Sequence, residues 1–251
     1  VSKAARMTWY RPIPKLPRLT ALVDVAVLFG LAALVYMLIE GGRQWSGVYR
    51  QSVEINLSPW ALPRYTMFSV FRNFVAYSLS LVFTLIFGRW AAVNRRTESV
   101  LVPVLDILQS VPVLGFLPGL VLGLVAIFPK SNLGLELACI VMMFTSQAWN
   151  MTFSFYQSVK SIPADLNETA KACRLTWWQR YLQLELPAGA SGLVWNSMMS
   201  MAGGWFFLMV CEAFTLGNND FRLPGIGSYM SVAIEAGNVP SMCYGSLAMS
   251  A

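Results

Sequence analysis

PADLNETAKACRLTWWQRYLQLELP, residues 163–187, is a polar segment that lies between long apolar stretches of the chain. Inside a bilayer an unpaired polar group costs several kcal/mol, so a segment this polar must lie outside the hydrocarbon region. The apolar stretches on either side are long enough to cross a membrane. The segment is therefore predicted to be an extramembrane loop of a multi-pass membrane protein.

Local sequence signals divide the 163–187 loop into two short helices. Pro163 disfavours helical geometry in the residue before it, so the preceding apolar helix should end there, and Ser161 is placed to cap the next helix. Thr176 and Gln179 have the spacing of a capping box, which predicts the start of a second helix. Pro187 is expected to break this helix before the next apolar stretch. Two short helices joined by a tight turn form a rigid projection.

The composition is that of an integral membrane protein. Of 251 residues, 56% are hydrophobic and 12% are charged, whereas about a quarter of the residues of soluble domains are charged. The absence of histidine excludes histidine general bases, Ser-His triads and histidine metal ligands. The four cysteines show no CxxC or other metal-ligand spacing and are expected to be small buried apolar residues, so no metal site is predicted. The predicted fold class is an all-α membrane protein.

Hydropathy predicts about five complete transmembrane helices and the start of a sixth. The apolar stretches lie near 21–39, 67–93, 101–128, 133–159 and 188–214, with the sixth beginning at 244–251. The third stretch contains Pro103, Pro112 and Pro118 and must be bent or broken, which is tolerated only where protein or a watery cavity lines it. We expect a basic N-terminal segment, 1–20, followed by one membrane domain, 21–251.

The distribution of basic residues predicts the orientation of the chain. If the N-terminus is cytoplasmic, inner segments hold 12 of the 18 Lys and Arg residues and outer segments hold five. Arg72 lies near the outer end of the second stretch, where a long side chain can reach the interface. This places the N-terminus and loop 160–187 in the cytoplasm and the longest loop, 41–66, outside. Because the net charge of +6 is spread over the loops, no nucleic-acid partner is predicted.

The spacing within the 163–187 loop resembles the EAA loop of binding-protein-dependent ABC transporter permeases. Their pattern is Glu-Ala-Ala, three residues, Gly, nine residues and then Ile-x-Leu-Pro. Glu168, Ala170, Leu186 and Pro187 match this pattern in register, and Arg174 stands where the family has glycine. The loop therefore resembles the element by which such permeases contact their ATPase.

Further similarity extends over roughly residues 67–240. The stretches 102–118, 188–192 and 223–227 are similar to the permeases of the nitrate, sulfonate, taurine and bicarbonate importer group. The resemblance implies a type I importer helical bundle in the bacterial inner membrane. It is compatible with a small anion or organic ion as the solute.

In such a permease the loop docks into a separate ATPase subunit. The resemblance assigns this contact to Asp165, Glu168, Thr169, Ala170, Lys171, Arg174 and Leu175. On its own, the loop could also be an ordinary interfacial loop whose Trp177 and Trp178 lie on lipid headgroups. A glycine-type turn costs a non-glycine residue about 1 kcal/mol or more, so Arg174 indicates either a differently built turn or a weaker copy of the motif that pairs with a non-identical half.

The resemblance also implies the rest of the assembly. It comprises nucleotide-binding ATPase subunits, a second permease subunit or half that is identical or non-identical, and a soluble or lipid-anchored substrate-binding protein. The chain has no GxxxxGK[ST] loop to bind phosphates. We therefore expect no enzymatic activity and no cofactor in this chain, with ATP and Mg²⁺ bound by the partner ATPase.

Polar side chains within the apolar stretches are candidates for a solute pathway, because polar groups that face lipid are unfavourable. The candidates are Gln109, Ser110, Gln147, Asn150, Asn196 and Ser197. Such residues also hold membrane helices together through hydrogen bonds, and both interpretations remain open at this point.

Acidic residues in the apolar stretches suggest one rival function. A secondary transporter driven by protons or sodium would use Asp106 and Glu212 as its coupling groups. Both are expected to reach water, since Asp106 lies about one turn into its stretch and Glu212 near the far end of its own. Glu136 lies within a few residues of the start of the fourth stretch, so its charge needs even less explanation.

Overall fold

The computed structural model describes residues 17–48, 52–216 and 219–250. These residues are almost entirely helical, which confirms the all-α fold class. The helices are α1 (Pro17–Ser46), α2 (Leu62–Phe83), α3 (Arg89–Val93), α4 (Arg95–Ser110), α5 (Val113–Ile127), α6 (Leu133–Lys160), α7 (Ala164–Ala172), α8 (Trp177–Arg180), α9 (Leu186–Glu212), α10 (Ile226–Glu235) and α11 (Val239–Ser250).

Short turns of other helix types join some of these helices into longer ones. A 3₁₀ turn, Pro59–Ala61, precedes α2, and a π-helical turn, Thr84–Gly88, joins α2 to α3. A second π-helical turn, Tyr181–Glu185, joins α8 to α9. The results are two continuous helical stretches, Pro59–Val93 and Trp177–Glu212, of 35 and 36 residues. Both exceed the ~20 residues that the bilayer core requires.

Three helical stretches of the described chain are long and apolar enough to cross a membrane. They are Val23–Ser46 and the two stretches 59–93 and 177–212, and α4 with α5 adds a fourth when counted as one broken span. The second and fifth apolar stretches therefore begin earlier than predicted. Helix α6 is 28 residues long but carries buried polar residues that lower its hydropathy.

The chain divides into two compact units, residues 1–40 and 41–251. The apolar side chains of α1 that the structure describes in the first unit are largely exposed, as expected for a helix that faces lipid. The second unit contains the other helices and the hydrophobic core.

Helix α6 is central to the second unit, where it packs against α2, α5 and α9. Its Met143 is fully buried in one core cluster with Leu208 of α9. The helices approach closely at Gly204 of α9, where an added Cβ would collide with the side chains of Asn73 and Gln147. Small residues at helix contacts permit this distance between backbones.

Buried hydrogen bonds link α2, α6 and α9 along their length. Gln147 Nε2 donates to Asn73 Oδ1 at 2.7 Å, and the Ser200 hydroxyl donates to the Gln147 carbonyl at 3.2 Å. The hydroxyl groups of Thr84 and Thr152 lie 3.1 Å apart. Because water is excluded from these positions, the bonds fix the register of the three helices.

The third apolar stretch is broken, as predicted. Helices α4 and α5 meet at an angle of 97°. Val111 and Pro112 between them have extended backbone, since proline disfavours helical geometry in the residue before it. Pro103 and Pro118, in contrast, lie inside α4 and α5.

A short antiparallel hairpin, which the sequence did not predict, follows α9. Strands β1 (Ala213–Leu216) and β2 (Asn219–Arg222) pair with Ala213 opposite Arg222. Arg222 also forms a bridge with Ser52, so this part of the 41–66 loop lies beside the hairpin. We call this the hairpin end of the second unit, and the opposite end, which carries residues 160–187, the loop end.

Candidate functional site

The 163–187 loop begins differently from the prediction. Pro163 has extended backbone and directly precedes α7. The prediction that Ser161 caps α7 is wrong. Ser161 ends α6, and its hydroxyl donates to the Ser158 carbonyl at 3.0 Å. The extended Pro163 separates Ser161 from the free N–H groups at the start of α7, so its hydroxyl bonds within α6.

The end of α7 is a complete left-handed turn. Arg174 has a φ of 51°, the single positive value of a non-glycine residue in the described chain. Its N–H donates to the Lys171 carbonyl at 3.0 Å, and the Leu175 N–H donates to the Ala170 carbonyl at 3.1 Å. These two bonds define the Schellman motif, which usually has glycine at the position of Arg174. The turn is therefore of the glycine type, with arginine in place of glycine.

The second short helix begins as predicted and ends differently. Thr176 and Gln179 form both bonds of a capping box, and α8 starts at Trp177. The prediction that Pro187 breaks the helix is wrong, because the helix continues through Pro187 into α9. In the π-helical turn before it, the Leu186 N–H donates to the Tyr181 carbonyl, five residues back. This wider turn shifts the bonding register where proline supplies no donor.

Most of the predicted contact residues of the loop are exposed. The exposed ones are Asp165, Glu168, Thr169, Lys171 and Arg174, whereas Ala170 is buried and Leu175 is half-buried. Glu168 and Thr169 lie three and four positions after Asp165, so the three side chains share one face of α7. Leu166 beside them is also exposed. Helix α7 therefore has a solvent-facing side that is polar apart from Leu166, and it packs through Ala170 on the other side.

A buried glutamate joins the base of this loop to the rest of the second unit. Glu185 is fully buried, and its carboxylate lies 2.5 Å from Arg89 Nε and 3.0 Å from Arg180 Nε. Arg180 Nη2 also donates to Asn167 Oδ1 of α7 at 3.1 Å. Glu185 is not among the site residues predicted from the sequence. The sequence feature that could have indicated it is an acidic residue between two apolar ones, Leu184 and Leu186, at the variable position of the Leu-x-Leu-Pro motif.

A second buried ionic cluster lies at the hairpin end. Arg72 of α2 was expected to reach the interface, but its side chain is only 1% exposed. Its Nε donates to Glu136 Oε2 at 2.5 Å and its Nη2 to Glu136 Oε1 at 2.7 Å. Glu136 of α6 therefore forms a bidentate ion pair with Arg72, which its position near the end of an apolar stretch did not indicate.

Glu212 completes the cluster and does not reach water, which corrects the prediction. Its carboxylate is fully buried and accepts hydrogen bonds from Arg72 Nη1 at 2.7 Å, the Ser69 hydroxyl at 2.6 Å and the Gly227 N–H at 2.8 Å. Arg72 Nη1 also donates to the Pro224 carbonyl at 3.0 Å. The cluster thus joins α2, α6, α9 and the segment 223–227 that follows the hairpin.

Residues 84–251 match the model of one protein family, the inner membrane components of binding-protein-dependent transport systems. The chain belongs to this family. The match includes the 163–187 loop with its exposed helix α7, and Glu185 and Glu212 of the two buried clusters. The permease resemblance drawn from the loop spacing is therefore confirmed.

Curated relatives of this permease are transport proteins with anionic solutes in their names. A putative aliphatic sulfonates transport permease protein, SsuC of Bacillus subtilis, is 24% identical over 57% of this chain and 49% of its own. The nitrate import permease protein NrtB of Leptolyngbya laminosa is 25% identical over 68% and 56%. The bicarbonate transport system permease protein CmpB of Synechococcus elongatus is 22% identical over 66% and 55%. The permease spans about half the length of these relatives.

Solved structures confirm the fold of the permease. A chain of the MetNI methionine ABC transporter, in an inward-facing conformation, superposes with a TM-score of 0.61 at 18% identity. The superposition covers 76% of the permease and 88% of that chain. At this identity the likeness concerns the helical arrangement alone.

Three of the six predicted pathway residues of the permease bond to neighbouring helices. Gln147 is fully buried against α2, as described above. Asn196 Nδ2 donates to the Ser154 hydroxyl at 2.9 Å, and Ser197 accepts from the Tyr77 hydroxyl at 2.9 Å. These contacts fit the helix-packing interpretation of all three.

The other three predicted pathway residues are exposed on the chain. Gln109 and Ser110 lie at the end of α4, directly before the break to α5. The Ser110 hydroxyl donates to the carbonyl of Asp106, which is itself exposed. Asn150 is exposed on α6. The six candidates therefore divide between helix contacts and exposed positions.

Two of the four cysteines also differ from the prediction that all are buried. Cys139 and Cys211 are buried in the core between α6 and α9. Cys173 is exposed at the end of α7, and Cys243 is exposed on α11. The two exposed thiols offer natural attachment sites at the two ends of the second unit.

Proposed function

We propose that this chain is the membrane-spanning permease subunit of an ABC importer and that it couples to a separate ATPase through the 163–187 loop. The observation that carries the proposal is helix α7, whose polar face projects outward while its base is bonded to the core. Asp165, Glu168 and Thr169 provide this face. Membership of the binding-protein-dependent family supports the assignment.

The construction of the loop suits the transmission of force. The Schellman turn at Arg174 and the capping box at Thr176 fix the two short helices relative to each other. The helix from Trp177 then continues without interruption into α9. A displacement of α7 by a partner is therefore passed to a long helix rather than absorbed by a flexible linker.

The proposed assembly follows from the family. Nucleotide-binding subunits would bind ATP and Mg²⁺ and contact the loop, and a second permease subunit or half, identical or not, would complete the pathway. A substrate-binding protein would deliver the solute. The excess of Lys and Arg in the N-terminal segment and the 160–187 loop supports a cytoplasmic position for both in a bacterial inner membrane.

We propose a small anion or organic ion as the solute. The support is chemical: the relatives SsuC, NrtB and CmpB are named for sulfonates, nitrate and bicarbonate, which are all anions. The exposed side-chain amides of Gln109 and Asn150 could donate hydrogen bonds to such oxyanions without a fixed charge.

The rival function, a proton- or sodium-coupled secondary transporter, needs Asp106 and Glu212 as accessible coupling groups. Asp106 is exposed, but Glu212 is fully buried and accepts bonds from Arg72, Ser69 and Gly227. A carboxyl group that accepts bonds from these three donors is held in place and is not free to exchange protons or ions with a pathway. The geometry therefore favours a structural role for Glu212.

Co-purification with an ATPase tests the proposal. The permease should retain a nucleotide-binding subunit in mild detergent, and Glu168→Lys should weaken this association about tenfold, or about 1.4 kcal/mol, because it reverses a charge at the contact face. Glu235→Lys is the matched control, since Glu235 is exposed and paired with Arg222 at the hairpin end. The proposal would be contradicted if both variants retained the ATPase. It would also be contradicted if none of the three proteins, the unmodified permease included, retained it.

A further inference from the structure

Glu185 occupies a position where a carboxylate is costly. Its side chain is fully buried, on the π-helical turn where the 163–187 loop passes into α9. A buried charge persists only when partners and hydrogen bonds compensate for its lost hydration. The contacts of Glu185 therefore indicate what this charge holds together.

Its two partners come from different parts of the second unit. Arg89 belongs to α3, which continues the helix of α2, and approaches Glu185 Oε2 at 2.5 Å. Arg180 belongs to α8, and its Nε lies 3.0 Å from Oε1 in an ion pair that lacks hydrogen-bond geometry. The Arg89 guanidinium also lies over the rings of Tyr181 and Trp177, at 5.1 and 5.5 Å from their centroids. Glu185 thus joins the base of the loop to the helix of α2.

The connection continues into α7 through one more side chain. Arg180 Nη2 donates to Asn167 Oδ1 at 3.1 Å, and Asn167 Nδ2 donates to the carbonyls of Ile162 at 3.3 Å and Pro163 at 3.4 Å. Ala170 is the one buried residue of α7. The path Asn167–Arg180–Glu185–Arg89 therefore connects α7 laterally to the helix of α2.

We propose that Glu185 is a positioning residue that fixes α7 to the core, so that the coupling helix and the helices α2 and α9 move as one rigid body. This inference rests on the proposed function, in which motion of the ATPase enters the permease at α7. Glu185 lies beneath the contact face and does not belong to it. Its removal should therefore loosen α7 while leaving Asp165, Glu168 and Thr169 in place on their face.

The two exposed cysteines allow a direct measurement. Cys173 ends α7, and Cys243 lies on α11, which packs beside residues 55–62 at the hairpin end. Spin labels on these thiols report the distance between α7 and the core by double electron–electron resonance. The full chain in lipid nanodiscs would be diluted with unlabelled chain, so that the distances within one chain are measured, with and without its ATPase and Mg-ATP.

Three substitutions test whether Glu185 and its contacts fix α7 to the core. Glu185→Gln removes the central charge, and Asn167→Ala cuts the path between Arg180 and α7 without leaving a buried charge unpaired. Glu235→Gln is the matched control, because it also removes a carboxylate that pairs with an arginine, but on the surface.

The unmodified permease and Glu235→Gln should give one narrow distance distribution that is the same with and without Mg-ATP. Glu185→Gln and Asn167→Ala should broaden it about twofold, as expected when a fixed element acquires the motion of a loop. A distribution in Glu185→Gln or in Asn167→Ala as narrow as that of the unmodified chain would overturn the inference. If Glu185→Gln does not fold, Asn167→Ala decides alone.

Different results would contradict this inference and the proposed function. The distance distribution of the permease alone depends on Glu185 and needs no ATPase. A permease that binds no ATPase but shows the broadening would contradict the proposed function and support the positioning role. A permease that binds the ATPase and shows no broadening would contradict the positioning role alone.

Discussion

Arg174 holds the left-handed backbone conformation that closes the turn after α7. A φ of 51° costs an L-residue roughly 1 kcal/mol or more, whereas glycine adopts it freely. The bonds from Arg174 and Leu175 back to Lys171 and Ala170 compensate for this cost. Among the described residues, no contact explains why arginine stands at this position.

Replacing Arg174 with glycine should stabilise α7. Removing the strain should lower the rate of amide hydrogen exchange in residues 164–175 about fivefold, which corresponds to about 1 kcal/mol of local stability. Hydrogen exchange followed by mass spectrometry measures this. Lys171→Gly is the control, because glycine inside the helix should raise the exchange rate by a similar factor. Faster exchange in Arg174→Gly would show that the turn is not strained.

Single residues with distant partners were the least predictable part of the site. Arg72 and Glu212 are 140 positions apart in sequence, and Arg89 and Glu185 are 96 apart. Nothing in the local pattern of Arg72 distinguishes a buried ion pair from a side chain that reaches the interface. The motif spacing, in contrast, located the turn at Arg174, because the turn is local, but it left open whether the turn was built differently there; the φ of 51° shows that it is of the glycine type.

Among the elements, α2, α6 and α9 meet at the Glu136–Arg72–Glu212 cluster. One guanidinium bonds to carboxylates of both other helices and to the Pro224 carbonyl. The cluster therefore also positions the segment 223–227, where an added Cβ at Gly225 would collide with the Glu212 carboxylate. The Ser69 hydroxyl and the Gly227 N–H supply Glu212 with two further hydrogen bonds.

Arg72→Ala should destabilise the permease strongly. It leaves two buried carboxylates without their counter-ion, a change that typically costs about 3–5 kcal/mol. Thermal unfolding of the purified chain in nanodiscs should show a large fall in midpoint. Arg96→Ala serves as the control, because Arg96 is exposed at the start of α4. Equal midpoints for the two variants would contradict the structural role of the cluster.

The elements show where sequence signals suffice and where they do not. Pro112 breaks the third stretch as predicted, and the capping box at Thr176 starts α8 as predicted. Pro187 does not break its helix, because the π-helical turn before it rearranges the bonding that proline would disrupt. The hairpin 213–222 escaped prediction, since its two strands are only four residues long.

At the scale of the whole second unit, two buried ionic clusters lie at opposite ends of the same helices. The Arg72 cluster joins α2, α6 and α9 at the hairpin end, and the Glu185 cluster joins the helix of α2 to that of α9 at the loop end. Between them lie the buried bonds from Gln147 to Asn73 and from Ser200 to Gln147. The 163–187 loop is therefore attached to one continuous framework, as the proposed coupling function requires.

Cross-linking from the two exposed cysteines tests most directly whether the 163–187 loop contacts an ATPase. A photoreactive cross-linker on Cys173, five residues after Glu168, should capture a protein whose peptides contain the phosphate-binding sequence GxxxxGK[ST]. The same reagent on Cys243, at the hairpin end, should not capture it. Capture of such an ATPase from Cys243 and none from Cys173 would contradict the account.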